Sequence, residues 1–130
     1  MSELDLTLVR YYAAVDRGDL DAAAQMLHPH VASAIHLPAG ARRGSTREDV
    51  IGYLSGRGDV VRRHHPLRTS RDRDLEFVYG AVIEDETRTT GHFLASVRID
   101  EDGLIAAYQV SFDVELALLA DVDSAAGQLR

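Results

Sequence analysis

Cysteine is missing from all 130 residues, which removes disulfides, thiolate nucleophiles and cysteine-held zinc in one stroke. That composition fits a reducing compartment. Basic charge is also short: 14 Lys and Arg stand against 21 Asp and Glu, a formal charge of −7. A field of that sign opposes nucleic acid, whose binding needs a local surplus of cations on phosphates. Arg57, Arg62, Arg63, Arg68, Arg71 and Arg73 do cluster, but no aromatic is interleaved for base stacking, so they read as a solvated strand face. No apolar run approaches membrane-spanning length. The segment MSELDLTLVR carries an acid where a secretory signal wants basic charge. These absences predict a cytoplasmic protein with no nucleic-acid or membrane partner. Repeats and low-complexity tracts are lacking too, and the length suits one domain over 1–120 followed by a frayed polar tail over 121–130.

What is present falls into helices first and strands after. Leu8, Tyr12 and Val15 share one helical stripe, predicting a helix from about Leu4 to Arg17, with Ser2 and Asp5 as a capping pair and Gly18 as its stop. Asp19 caps a second helix that runs to about Leu27. His28-Pro29 ends it, because the residue before proline is pushed out of the α region. A short strand is expected over Val31 to Leu37, closed by Pro38-Ala39-Gly40. Ser45-Thr46-Arg47-Glu48 has the pattern of a capping box for a third helix with Val50, Ile51 and Leu54 inward. The remainder reads as strands. Pro66 puts its strand at an edge or a bulge, and Leu75-Phe77-Tyr79-Ala81-Ile83 alternates as the next strand. Glu115 to Ala120 reads as a strand end or short helix.

The clearest feature is a hairpin. Phe93-Ala95-Val97-Ile99 and Leu104-Ala106-Tyr108-Val110-Phe112 alternate on either side of Asp100-Glu101-Asp102-Gly103. With Glu101-Asp102 as a two-residue turn, Asp100 faces Gly103 and Ser111 lies opposite His92. Phe93, Ala95 and Val97 then share a face with Tyr108, Val110 and Phe112. A bulge at Gly103 that slips the pairing by one residue reverses that assignment. The architecture expected is α+β: three N-terminal helices packed on a strongly curved, mainly antiparallel sheet.

Tyr11-Tyr12-Ala13-Ala14-Val15-Asp16-Arg17-Gly18-Asp19-Leu20-Asp21, Met26-Leu27-His28-Pro29-His30-Val31, Gly44 and Asp102-Gly103-Leu104-Ile105 together resemble the nuclear transport factor 2-like superfamily. It is a cone-shaped fold that includes ketosteroid isomerases, polyketide cyclases, scytalone dehydratases and limonene epoxide hydrolases. The resemblance spans about residues 5–115 and marks the fold more than an activity. It implies a helix-one tyrosine at Tyr11, a general base near Ile35 or Leu37, and a second acid at Ala95, as in the isomerases. Cyclases would place a histidine near Ala95 and an acid/base aspartate near Val110, where epoxide hydrolases also place an aspartate. Alanine and valine cannot transfer protons, so none of these chemistries runs here as it does in the relatives.

The pocket the resemblance implies is therefore apolar with phenols at its walls: Tyr11, Tyr53, Phe93, Ala95, Tyr108, Val110 and Phe112. Each tyrosine is either a pocket donor or a core residue with a satisfied hydroxyl. His36, at the end of the first strand, is the candidate base, with Tyr11 or Tyr53 as its partner in catalysis; a rim histidine in water is the plain alternative. His28 and His30 have an H-x-H spacing, with His64 and His65 elsewhere, but zinc wants three or four convergent ligands. No metal or cofactor is expected. His92 and Asp113, diagonal neighbours in this register, are expected to pair on the outer sheet face, where the resemblance implies a homodimer interface; a His–Asp acid/base couple is the enzymatic alternative. Three functions follow. One is a binding protein for a small apolar molecule. A second is a cofactor-free isomerase, dehydratase, cyclase or hydrolase using His36 and a tyrosine. The third is a dimeric interaction module with a filled interior.

Overall fold

The computed structural model describes residues 5–58 and 61–119. Helices α1 (Thr7–Asp16) and α2 (Leu20–Gln25) come first, then strands β1 (Leu27–Leu37) and β2 (Gly40–Gly44). Helix α3 (Arg47–Ser55) follows, and β3 (Arg62–Asp72), β4 (Leu75–Glu84), β5 (Arg88–Ile99) and β6 (Ile105–Asp113) complete the order. One six-stranded sheet in the order β2-β1-β6-β5-β4-β3 carries all the strands. Among the described residues only β1 and β6 pair in parallel. The sheet curls without closing, and the helices pack on its inner face, as the α+β reading expects. Among the described residues no helix is long and apolar enough to cross a membrane.

Helix α1 starts three residues later than its apolar stripe suggests. Its N-cap is Leu6, which offers no side-chain acceptor. Glu76 of β4 supplies the cap instead, its carboxylate accepting the N–H groups of Thr7 and Leu8 at 3.1 and 2.9 Å. Ser2, the expected capping residue, lies outside the described residues. Gly18 ends the helix with φ at +79°, a conformation glycine takes without strain. Asp19 caps α2 as expected, accepting from Ala22 N–H at 3.0 Å.

Strand β1 is longer than its apolar run. It begins at Leu27 and passes through Pro29, whose missing N–H costs nothing where the pairing with β6 is interrupted between Leu27 and Ala32. Strand β2 was not legible, since its sequence Gly-Ala-Arg-Arg-Gly has no apolar face. The capping box of α3 sits one residue along from its expected place: Thr46 accepts from Asp49 N–H, and Asp49 accepts from Thr46 N–H. Arg47 then ties α3 to β1 by donating twice to the Leu27 carbonyl, at 3.1 and 2.7 Å. Beyond β6 the chain bends at Asp113, whose carboxylate accepts from Glu115 and Leu116 N–H, so 115–119 is neither strand nor helix.

The hairpin register differs from the two-residue-turn expectation by two positions. His92 pairs with Asp113, Phe93 with Phe112, Ala95 with Val110 and Val97 with Tyr108. The irregularity lies between Arg98 and Ile99, and Asp100 closes the loop by accepting from Asp102 and Leu104 N–H. A slip of two preserves side-chain parity. Phe93, Ala95, Val97, Tyr108 and Val110 therefore all stay in the buried core.

Parity on β4 runs the other way from its apolar pattern. The inner set is Glu76, Val78, Gly80, Val82 and Glu84, while Leu75, Phe77 and Tyr79 face outward. Each unpromising inner residue answers a need on another element. Glu76 caps α1, and Gly80 leaves room for the Phe93 ring, whose Cζ would sit 2.7 Å from an added Cβ. Glu84 pairs with Arg62 at 3.2 Å. On the edge strand β3 the register shifts between Pro66 and Arg68, the bulge that Pro66 foreshadows.

Candidate active site

Between the helices and the sheet lies a cavity of about 270 Å³. Helix α1 contributes Tyr11, Tyr12 and Val15, and α3 contributes Tyr53 and Leu54, with Arg57 just past its end. From the sheet come Ile35 and Leu37 of β1, Arg62 and His64 of β3, and Val82 and Glu84 of β4. Phe93, Tyr108, Val110 and Phe112 form the floor. Most of the wall is apolar, and its polar groups are His64, Arg57, Arg62, Glu84 and the tyrosine hydroxyls.

The side chain of His64 is 11% exposed and its Nδ1 lies 2.7 Å from Asp16 Oδ1. The other oxygen of Asp16 accepts the backbone N–H of His64, also at 2.7 Å. A carboxylate can only accept, so Nδ1 carries the hydrogen and Nε2 is left to exchange a proton with a ligand. Nε2 meets no hydrogen-bond partner among the described residues. Two rings hold the imidazole in place. Tyr12 stacks on it with centroids 4.3 Å apart and planes 10° from parallel, and Phe93 meets it edge-on at 5.3 Å. Asp16 is the last residue of α1, so the helix that supplies Tyr11 and Tyr12 also orients the histidine.

The second polar feature is a pair of phenols. Tyr12 and Tyr108 hydroxyls lie 2.7 Å apart, and the Tyr11 ring packs edge-on to Tyr108 at 5.8 Å. Burial pushes all three hydroxyls to pKa values well above the ordinary tyrosine range; for Tyr108 the neighbouring Tyr12 adds to the shift. They therefore stay protonated at neutral pH. When one hydroxyl of the pair donates to the other, the acceptor keeps its own hydrogen free for a ligand oxygen. Arg62 and Glu84 form an ion pair in the same wall.

The expected wall residues Tyr11, Tyr53, Phe93, Tyr108, Val110 and Phe112 all line this cavity. Ala95 does not: it is buried on the same inner face, between Val78 and Val110, and is too short to reach the wall. His36 is on the other side of the sheet altogether. Ile35 and Leu37 point into the cavity, so period two turns His36 outward, into a shallow hollow with Ala34, Ser96 and Gln109. It cannot serve as a base for this cavity. His92 is likewise on the outer face, stacked on Tyr79.

His64, Asp16, Arg57 and Arg62 were not singled out by the sequence. Arg57, Arg62 and His64 fall in a stretch that reads as a solvated basic face and Asp16 at the polar end of the first helix, whereas Arg62 and His64 alternate inward opposite Glu84 and Val82. The cavity is thus not stripped of titratable groups: His64, Glu84 and two arginines line it. Among the described residues no three His, Asp or Glu side chains converge as a metal site would need.

No protein-family model matches the sequence, and no curated protein matches it. Solved structures do. A candidate polyketide cyclase from Xanthomonas campestris pv. campestris superposes with a TM-score of 0.69 at 19% identity, covering 84% of this chain and 89% of that one. An epoxide hydrolase from M. tuberculosis, described as LEH-like, gives 0.66 at 18% identity over 83% and 80%. An NTF2-like protein of unknown function from Cytophaga hutchinsonii gives 0.64 at 13% identity over 86% and 95%. Such distant likeness speaks to architecture alone. The chain has the cone-shaped fold of the nuclear transport factor 2-like superfamily.

Proposed function

We propose that the protein binds a small, mainly apolar molecule in this cavity and acts on it by acid–base chemistry, as a cyclase, isomerase or dehydratase would. The observation that carries the reading is the His64–Asp16 pair in the cavity wall, 2.7 Å apart and shielded by Tyr12 and Phe93. In this mechanism Nε2 of His64 takes a proton from carbon or oxygen of the ligand. Asp16 holds the ring in the productive tautomer and stabilises the imidazolium that forms. Charge that develops on a ligand oxygen is met by the free hydroxyl hydrogen of the Tyr12–Tyr108 pair, already in place in a site of low polarity. Return of the proton to a different atom gives an isomer; its delivery to a hydroxyl expels water. Attack of the deprotonated carbon on a carbonyl carbon of the same ligand closes a ring, the proton passing to the alkoxide oxygen that forms. Candidate cyclases and an epoxide hydrolase among the structural neighbours make small-molecule chemistry a natural use of the architecture.

A volume of about 270 Å³ lies just below the usual range for ligand sites, about 300–1,000 Å³, and favours a ligand of one or two rings. The space argues against a filled interior, and so against a purely structural module.

The test is a thermal-shift screen of small ketones and enones, followed by deuterium exchange from heavy water at the ligand's α-carbon, read by NMR. Bound ligands should exchange faster with wild type than with His64→Gln, while binding survives the substitution. Equal exchange with both would leave a binding protein without catalysis. Absence of any ligand would remove the binding reading as well.

A further inference from the structure

We infer that the molecule taken up by this cavity is an acid, a small carboxylate whose anionic end is received by the guanidinium of Arg57. The inference rests on the reading that the cavity binds a small molecule and adds which chemical class it selects.

Arg57 follows the C-cap of α3, Gly56, and its backbone N–H donates to the Leu54 carbonyl, which fixes where the side chain departs. The side chain lines the cavity. Its Nε is closed off from solvent and meets no acceptor among the described residues. The guanidinium carbon stands 5.9 Å from the centre of the Tyr53 ring, but a ring face offers no acceptor for an in-plane N–H. The negative end of α3 attracts the charge in the same general way and also leaves that hydrogen unmet.

The other charged groups around the cavity are already committed. Glu84 holds Arg62 at 3.2 Å and Arg88 at 3.6 Å. Asp16 holds His64. Among the described residues no carboxylate approaches Arg57 within ion-pair distance, in a chain where acids outnumber Lys and Arg by 21 to 14. A buried guanidinium N–H without an acceptor is costly, and a carboxylate can meet the Nε edge of the planar fork with two parallel bonds. The charge also reaches the site's phenols: it opposes the effect of burial on Tyr11, Tyr12 and Tyr108. One ligand can therefore present its acid to Arg57 and a second oxygen to the tyrosines. Since the chain as a whole is negative, selection of an acid has to come from this local contact and not from long-range attraction.

The experiment uses a set of one- and two-ring aromatic and alicyclic carboxylic acids, each paired with its neutral primary amide. Dissociation constants are measured by ligand-observed NMR on wild type, Arg57→Gln, Arg57→Lys and Arg68→Gln. Arg68 is exposed, donates only to the Leu67 carbonyl, and controls for the loss of one positive charge. Wild type and Arg68→Gln should prefer each acid to its amide by roughly ten- to a hundred-fold, the strength of a hydrogen bond to a charged group. Arg57→Gln should erase the preference and Arg57→Lys should keep part of it. Amides that bind wild type as tightly as acids, or a preference that survives Arg57→Gln, would overturn the inference and leave the cavity reading intact. If neither acids nor amides bind wild type, both fall. Should Arg57→Gln fail to fold, the wild-type ratio and the lysine variant decide.

Discussion

Replacing Glu76 with alanine tests how α1, the helix that carries Tyr11, Tyr12 and Asp16, is fixed to the sheet. The carboxylate is only 3% exposed and accepts from two N–H groups that α1 cannot satisfy itself. Two hydrogen bonds to a charged acceptor contribute about 1.5–3 kcal/mol each. Burying the carboxylate costs several kcal/mol in the other direction. Arg71, 3.9 Å away with a side chain 43% exposed, returns little of that. Alanine removes both the bonds and the desolvation of the acid, but it strands two N–H groups at about 1–3 kcal/mol each. The net loss expected is about 2–4 kcal/mol, and glutamine, with one acceptor oxygen for two donors, should lose about half as much. Urea unfolding at neutral pH measures it. With a slope of about 2 kcal/mol per molar, the alanine midpoint should fall by roughly 1–2 M at unchanged slope. An alanine variant within ~0.5 kcal/mol of wild type, the range of ordinary surface changes, would refute the cross-chain cap.

Four further outcomes are expected. Asp16→Asn should shift the tautomer of His64, seen in long-range nitrogen–proton NMR spectra as loss of the Nδ1–H form; an unchanged spectrum would mean that Asp16 does not orient the ring. Because the buried phenols Tyr11 and Tyr108 titrate well above the unfolded value of 10.0, their contribution to stability is complete below that value. It is lost as pH rises beyond, where only the unfolded chain releases these protons. Tyrosinate absorbance from them should therefore appear together with unfolding, not before it. Gly80→Ala should cost about 1–3 kcal/mol by thermal unfolding, since the new Cβ would lie 2.5 Å from the His65 carbonyl oxygen, a backbone atom that cannot swing away. Pairing of two copies across the outer sheet face should be broken by Leu94→Arg, as Leu94 is 52% exposed there; native mass spectrometry showing wild type as a monomer throughout would dismiss such pairing.

Most of the fold could be read from apolar spacing because most of its elements bury one face by themselves. The β5–β6 hairpin is the clearest instance: its turn was placed differently by two residues, yet the buried set survived since parity did. Elements that depend on distant partners are the ones local spacing does not reveal. Helix α1 begins where Glu76 caps it, and no local signal near Thr7 announces a residue 69 positions away. Strand β2 exists only because β1 offers an edge, with Ser33 opposite Gly44 and Leu37 opposite Gly40.

The site was half legible for a related reason. Hydrophobic wall residues declare their face through alternation, whereas inward polar residues imitate an exposed face until their partners are known. On β4 the inner set includes two glutamates and a glycine, each answering to a residue on another element. On β3, Arg62 and His64 look like solvated charge until Glu84 and Asp16 stand beside them. Positions 95 and 110, where relatives are expected to keep their proton carriers, are apolar here and pair with each other in the core. The candidate acid–base pair stands instead on the edge strand and at the end of α1. A ligand activated by His64 would therefore approach its base along the cavity's side wall, with Val110 and Phe112 as the floor beneath it. That placement gives the apolar floor a role in orientation: it excludes water from under the ligand, so that its hydrogen bonds come from the polar groups of the wall, His64, the tyrosines and Arg57.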